Sequence, residues 1–305
     1  MFNQDLINWE VDGHYIKIGP FQHQVFYKEF GDSQADSDKT LLLLHGFPES
    51  SYSYHKIIGG MAAIFDRIVV FDMIGYGLSD KPTENYTYSL FEQADVALQV
   101  WKYLDIKGGH LLGHDMGVSV VTELVAREVN DLLPNWFSDG FQSYTFTNGS
   151  MVTSMASLRV TQKILLSSYG HLLSRLVSFK IFNHQVRSAH GNDNLSKKDI
   201  EMLWENALQQ NGHRKTHLTI KYYEDRLRFE KSRWLAALSQ TKIPVHFCWG
   251  EDDQVAQLPM PQYLKEKICP SASLTLMPNV GHFCQLGSPD IWVKNVGSFY
   301  KDLAI

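Results

Sequence analysis

The sequence predicts an α/β fold, with a mostly parallel central sheet, helices on both faces and one helical insertion. Three observations predict it. Short continuous apolar runs, such as Thr40-Leu-Leu-Leu-Leu44 and Arg67-Ile-Val-Val-Phe71, suit strands covered on both faces. Segments of helical periodicity separate these runs, and strand alternating with helix implies parallel crossovers. Between about Gly149 and Ser239 the alternation lapses into a mostly helical pattern, then resumes.

Element by element, two polar–apolar alternations around His14 to Ile18 and Gln22 to Phe30 read as an antiparallel hairpin. The Leu41–Leu44 strand follows, then a helical stretch near Ser50 to Phe65. The Arg67–Phe71 strand leads to a helix over Ser89 to Leu104. The strand Gly109 to Leu112 precedes a helix over Gly117 to Val129, and Gln142 to Thr147 is a strand again. In the insertion, Ser196 can cap a helix whose Ile200, Leu203, Trp204, Ala207 and Leu208 share one face. Strands at Ile243 to Trp249 and Ser273 to Met277 bracket a helix near Pro261 to Ile268. Trp292, Val296, Phe299, Tyr300 and Leu303 line one face of a last helix. The expected division is a core over residues 1–148, a helical cap over 149–239 and the rest of the core over 240–305.

Of the 305 residues, 44% are hydrophobic and 20% charged, enough for a buried core. A net charge of −5 leaves no basic footprint, so no nucleic-acid partner is expected. The opening MFNQDLINWEVDG lacks a basic stretch followed by an apolar one, so no signal peptide is expected. The apolar runs are far shorter than the roughly 20 residues a membrane span needs. Cys248, Cys269 and Cys284 show no metal or redox spacing, and a sparse, odd set fits a reducing compartment. A cytoplasmic location is the expectation, and a homodimer is left open.

The most informative segment is Gly109-His-Leu-Leu-Gly-His-Asp-Met-Gly117. A short apolar strand runs into Gly113-x-Asp115-x-Gly117, and a helix starts at once. Small residues two before and two after the central position are what a tight strand-to-helix elbow needs, and such an elbow presents a nucleophile. Here the central residue is Asp115. A carboxylate is ionised at neutral pH, and the helix N-terminus favours that charge. It can attack a saturated carbon directly and form an ester. By itself, an aspartate opening a helix is an ordinary cap; three other segments argue for chemistry. His45-Gly-Phe-Pro48 follows a buried strand, where the backbone N–H groups of Phe47 and Met116 could converge as an oxyanion hole. His282 follows the last strand, and Gly250-Glu-Asp-Asp253 ends the strand before it with a carboxylate able to orient that histidine. The chain order Asp115, Asp253, His282 is nucleophile, acid, base.

With these motifs, and Asp72-Met-Ile-Gly-Tyr-Gly-Leu-Ser-Asp80, the chain resembles the epoxide hydrolase and haloalkane dehalogenase branch of the α/β-hydrolases over nearly its whole length. The Thr147-Asn-Gly-Ser150 turn and the Phe91-Glu-Gln-Ala94 stretch are most similar to the mesoderm-specific transcript-like proteins of that branch. The resemblance implies an α/β-hydrolase fold and an alkyl–enzyme ester resolved by water. It places the acid at Asp253, with Asp252 the alternative, because some dehalogenases put the acid after the preceding strand and Thr147-Asn-Gly offers no carboxylate there. Dehalogenases of this kind hold the halide with a tryptophan and an asparagine at positions that read Met116 and Phe47 here. Neither side chain can donate a hydrogen bond. Epoxide hydrolases instead use two cap tyrosines as acids, which the resemblance assigns to Tyr223 and Tyr169. The arginine that usually follows the second tyrosine is Glu224 here.

The expected function is therefore hydrolysis of a small to medium apolar epoxide, with water as co-substrate and neither cofactor nor metal. Haloalkane dehalogenation and non-catalytic binding on the same fold are the alternatives. A cap rich in Leu165, Leu166, Phe179 and Met151 suggests an apolar pocket wall. Asp72 and Asp80 read as loop braces, and His114 as packing. His184, His190, His213 and His217 read as cap residues without a site. The mixed charges of Lys221 to Arg233 read as a solvated helix face.

Overall fold

The computed structural model describes residues 4–305; residues 1–3 of the opening segment lie outside them. Eight strands form one sheet: β1 (His14–Ile18), β2 (His23–Gly31), β3 (Thr40–Leu44), β4 (Arg67–Phe71), β5 (Gly108–His114), β6 (Gly140–Thr147), β7 (Val245–Gly250) and β8 (Ser273–Met277). Their order is β1-β2-β4-β3-β5-β6-β7-β8. The first two strands pair antiparallel, β2 continues antiparallel onto β4, and every later pairing is parallel.

Period-two alternation of side chains divides the central strands between two apolar layers. Leu42, Leu44, Val69 and Phe71 pack with the helices Leu90–Tyr103 and Met116–Val129. Leu41, Leu43, Ile68 and Val70 face Tyr54, Met61, Phe65 and the helix Pro289–Asp302, which supplies Trp292, Val296, Phe299 and Tyr300. Because both faces of β3 and β4 are covered, every residue of these strands is buried, and the strands read as unbroken apolar runs.

Most expected elements form, with shifts of one or two residues at their ends. The continuous helix expected over Ser50 to Phe65 does not form. A 3₁₀ turn at Ser51–Tyr54 and a single helical turn at Ile58–Met61 replace it. Ser50 Oγ accepts from Tyr52 N, Asp72 captures the Ser51 N–H, and Gly59-Gly60 disfavours a longer helix. The expected helix near Pro261 to Ile268 is an α turn at Pro259–Tyr263 continued by a π turn at Leu264–Ile268. A helix at Gln4–Val11 was not anticipated.

Between β6 and β7 the chain is helical. The helix Lys197–Leu208 starts at the expected Ser196, whose side chain accepts from Asp199 N while Asp199 returns a bond to Ser196 N. Phe182 and Val186 of the helix Phe179–His190, with Ile200 and Leu203, pack on Phe283 and Leu286 of the β8–helix loop. The insertion is therefore seated on the loop that carries His282. Among the described residues, no helix is long and apolar enough to cross a membrane. All three cysteines are free and buried.

Candidate active site

The elbow after β5 forces an unusual backbone at Asp115, with φ 46° and ψ −110°. Non-glycine residues avoid this region unless their surroundings hold them there. Two glycines make the turn possible. A side chain at Gly113 would come within 2.8 Å of the Gly117 backbone, and one at Gly117 would run into the Leu44 carbonyl. The strand, the loop after β3 and the new helix are packed too closely for any Cβ there.

Asp115 thus sits at the N-terminus of the 14-residue Met116–Val129 helix, almost fully buried. Its Oδ2 accepts the Phe47 N–H at 2.9 Å. Its Oδ1 faces His282 Nε2 at 3.7 Å. On the far side of the imidazole, Nδ1 lies 2.8 Å from Asp253 Oδ2. Asp252 points elsewhere and accepts from Asn192 Nδ2 at 2.9 Å, so of the two carboxylates it is Asp253 that meets the histidine. Met116, directly after Asp115, receives the Tyr76 hydroxyl on its sulfur at 3.1 Å.

Asp253 is heavily anchored. Val255 N and Ala256 N donate to its Oδ1 at 2.6 and 2.9 Å, and Asn148 Nδ2 donates to its Oδ2 at 2.8 Å. Asn148 Oδ1 in turn accepts the Gly250 N–H at 3.0 Å. The residue after β6, which offers no carboxylate, instead braces the carboxylate offered after β7. Burial opposes charge on His282, but Asp253, by its charge and its hydrogen bond, outweighs burial, and Asp115 and Glu49 add to it. The imidazolium is raised to about 9.

Glu49, one residue past His45-Gly-Phe-Pro48, escaped the sequence reading. It is fully buried, accepts from Gly46 N at 3.0 Å and from Gln285 Nε2 at 2.8 Å, and lies 3.4 Å from His114 Nε2. Burial and the Asp115 charge push its carboxyl up to about 8. Burial also holds His114 well below its ordinary value, so it is neutral. With His114 Nδ1 against the Thr147 carbonyl, Nε2 is left as an acceptor facing Glu49. The site thus packs two carboxyl groups side by side, and the deeper one keeps its proton. An unfolded chain ionises Glu49 from about its ordinary 4.5 upward, the folded chain only near 8. Folding stability at this group is therefore full below 4.5 and falls by about 1.4 kcal/mol per pH unit between the two values. Calorimetry at pH 5 and pH 8 should show Glu49→Gln losing less stability over that span than the wild type. Parallel profiles would contradict the buried, proton-bearing carboxyl.

The insertion delivers further contacts. His190, at the end of its helix, accepts the Phe283 N–H on Nδ1 at 3.1 Å, and its carbonyl takes the His282 N–H at 2.9 Å. Gly191 turns with φ 96° against the Asp252 carbonyl, where a side chain could not fit. Asn192 and Asn194 both donate to the Asn279 carbonyl. The His190–Asn194 stretch, whose histidine reads from sequence as a cap residue without a site, thus ties together the two loops that carry Asp253 and His282. A single sequence gives no signal for such long-range contacts.

The tyrosines differ from expectation. Tyr169 is 69% exposed, in the bend between the short helices Val160–Leu165 and Gly170–Leu176, and does not reach the site. Tyr223 is buried, but its charged neighbours are Arg226 and Glu230 rather than Asp115. The Asp115 charge acts instead on its neighbour Tyr222. Tyr222 is buried 6.1 Å from the Phe47 ring, and both burial and the Asp115 charge raise its hydroxyl. One residue along a helix is a turn of about 100°, so a one-position slip selects a different face.

Arg226 lies 5.1 Å from the Tyr222 ring and donates to Ser119 Oγ at 2.5 Å and to the Asp115 carbonyl at 3.3 Å. The Lys221–Arg233 segment presents Lys221, Glu224, Arg228 and Lys231 to solvent, as expected, but not all of its charges. Arg226 and Glu230 are buried, and Arg233 Nε donates to buried Glu123 at 2.7 Å. Asp72 and Asp80 are loop braces, accepting from Leu78 N at 2.6 Å and Gln24 N at 2.7 Å.

Over Asp115 and His282 lies a cavity of about 60 Å³. Its apolar wall is Phe47, Phe182, Val186, Val255 and Phe283. The residues expected to form that wall lie elsewhere: Met151 and Leu165 are buried in the main core, with Leu166 packed against it, and Phe179 packs against the core of the insertion.

Known proteins place this arrangement. The family described as "alpha/beta hydrolase fold" matches residues 39–289. The Mycobacterium tuberculosis (strain ATCC 25618 / H37Rv) protein named "Putative hydrolase LipZ" is 35% identical over 279 residues, 90% of this chain and 93% of its own. The mesoderm-specific transcript homolog protein of Bos taurus is 28% identical over 292 residues, 93% of this chain and 84% of its own. The crystal structure of haloalkane dehalogenase DbeA from Bradyrhizobium elkani USDA94 superposes with a TM-score of 0.77 at 19% identity, covering 96% of this chain and 98% of that one, a likeness of fold. Epoxide hydrolases and a haloalkane dehalogenase are also among the matches. This chain belongs to the alpha/beta hydrolase fold family, and its relatives include mesoderm-specific transcript proteins, an epoxide hydrolase and a haloalkane dehalogenase.

Proposed function

We propose that this chain is a hydrolase that opens small epoxides through an ester on Asp115, with the helical insertion 149–239 acting as its cap. The observation that carries this reading is the pair of bonds at Asp115. One oxygen is held by the Phe47 N–H, and the other is free to face the cavity and His282. Oδ1 attacks an epoxide carbon, the ring C–O bond breaks, and the Tyr222 phenol passes its proton to the departing alkoxide. Burial keeps that phenol protonated until a stronger base appears beside it. His282 then takes a proton from water, and the hydroxide adds to the ester carbonyl. The oxyanion forms on Oδ2, where the Phe47 N–H already waits and the Met116 N–H can join it. Collapse breaks the bond between the Asp115 carbonyl carbon and Oδ1. The departing alkoxide takes the proton of the new carboxylic acid, which releases the diol and restores the carboxylate, and the imidazolium returns its proton to the Tyr222 phenolate. Asp253 stabilises the imidazolium meanwhile.

The two positions at which dehalogenases of this kind hold the halide favour an epoxide here. A halide needs neutral hydrogen-bond donors, and the side chains of Phe47 and Met116 provide none. Matched substrates test this: styrene oxide and 2-phenylethyl bromide, with wild type and Tyr222→Phe. The expected result is faster turnover of the epoxide and a loss of about 10²-fold or more in Tyr222→Phe. A faster bromide, indifferent to Tyr222, would replace this reading with dehalogenation. Absence of turnover and adduct with both would leave a binding protein.

A further inference from the structure

The cavity over Asp115 is apolar on one side and polar on the other. Arg159, Thr161, Gln162 and Gln185 line the polar side. Arg159 precedes the helix Val160–Leu165, and its backbone N–H is held by Gln162 Oε1 at 2.8 Å. That bond leaves the Gln162 amide N–H groups free to donate. The Arg159 guanidinium gives one Nη2 bond to the Ser188 carbonyl, but its Nε is buried without a partner. No acidic side chain lines the cavity apart from Asp115 itself.

The Arg159 side chain is half-buried, but its Nε–H is buried and unpaired, which is costly, and the group that best satisfies that donor is a planar anion bonded beside it. We propose that the substrate of this site carries a carboxylate, received by Arg159 with Gln162 and Gln185. The inference rests on the hydrolase reading above and narrows its substrate class. An acidic end replaces the wholly apolar substrate expected from composition. Size adds a second restriction. Arg159 and Asp115 line one cavity of about 60 Å³, far below the roughly 300 to 1,000 Å³ of drug-sized sites. The acid and the reacting carbon must therefore be only a few bonds apart, as in a short epoxy acid. Held at Arg159, the carboxylate is kept off the Asp115 charge, and the reacting carbon is presented to Oδ1.

The test uses the whole chain and separates binding from chemistry. Butyrate and butyramide are titrated calorimetrically into wild type, Arg159→Met and Arg159→Lys, each first checked for native circular dichroism. The expected result is butyrate binding at least tenfold more tightly than butyramide in wild type, with the preference lost in Arg159→Met and partly kept in Arg159→Lys. Equal binding of the two probes, no binding of either, or a preference that survives Arg159→Met overturns the proposal. If Arg159→Met does not fold, Arg159→Lys decides: a preference undiminished there overturns it, and a reduced one supports it. Turnover of glycidate against its methyl ester gives the second readout, with a lower KM for the acid that rises in Arg159→Met. Mass spectrometry for an adduct with glycidate and with its methyl ester tests the ester reading separately. Acid selectivity without an adduct would sink that reading alone, and an adduct without acid selectivity would sink this inference alone.

Discussion

Asp115→Ala removes turnover by a factor on the order of 10⁴ or more, because no other group reaches the cavity as a nucleophile. The substitution deletes the acceptor of the Phe47 N–H and the charge facing His282. It leaves a Cβ at φ 46°, a backbone strain that the wild-type aspartate already bears. At the same time, Glu49 and Tyr222 lose a repulsive neighbour. The fold should survive, with a small change in Tm and an unchanged far-ultraviolet spectrum. Activity is followed as diol formation in wild type and variant at equal concentration. Turnover in the variant within tenfold of wild type would remove Asp115 from the chemistry.

His282→Gln leaves the first half of the reaction standing and stops the second. The epoxide is still opened, but no base withdraws a proton from water, so the ester persists and the intact protein gains the mass of one substrate molecule. Deacylation should slow by about 10³-fold or more while adduct formation changes far less. The same step gives a pH signature in the wild type. The free imidazolium is raised to about 9, after burial is outweighed by Asp253 and then Asp115. Ester formation cancels the Asp115 charge, so the imidazolium in the intermediate must lose its proton more readily than in the free enzyme. Single-turnover ester breakdown should therefore rise with pH and level off below about 9. A variant that consumes epoxide without ever showing the added mass would refute the two-step route.

Local sequence determined a great deal here. The Leu41–Leu44 and Arg67–Phe71 strands, the cap at Ser196, and the glycine spacing of the elbow each depend on residues within a few positions of one another. Short-range sterics and side-chain period decide them, so they can be read without the rest of the chain. The order Asp115, Asp253, His282 was legible for the same reason. Each follows the end of a strand, and a parallel sheet gathers those ends on one edge.

The tertiary structure decided everything that depended on packing between distant segments. It brought Tyr222 rather than Tyr223 close to Phe47 and the Asp115 charge, since a helix face is set by what the helix packs against, and it left Tyr169 at the surface. It chose Asp253 over Asp252 by bonding Val255 N, Ala256 N and Asn148 to one and Asn192 to the other. It gave Glu49 its proton, because burial and neighbouring charges, not residue identity, set the energy of an ionised group, and it buried the Arg159 Nε–H without a partner. His190 shows the limit most sharply: an unremarkable histidine in sequence becomes a brace for His282 only when the insertion folds back onto the β8 loop, across more than 90 residues of chain. Contacts of that span carry no local pattern, because the chain between them can vary freely as long as the two ends meet.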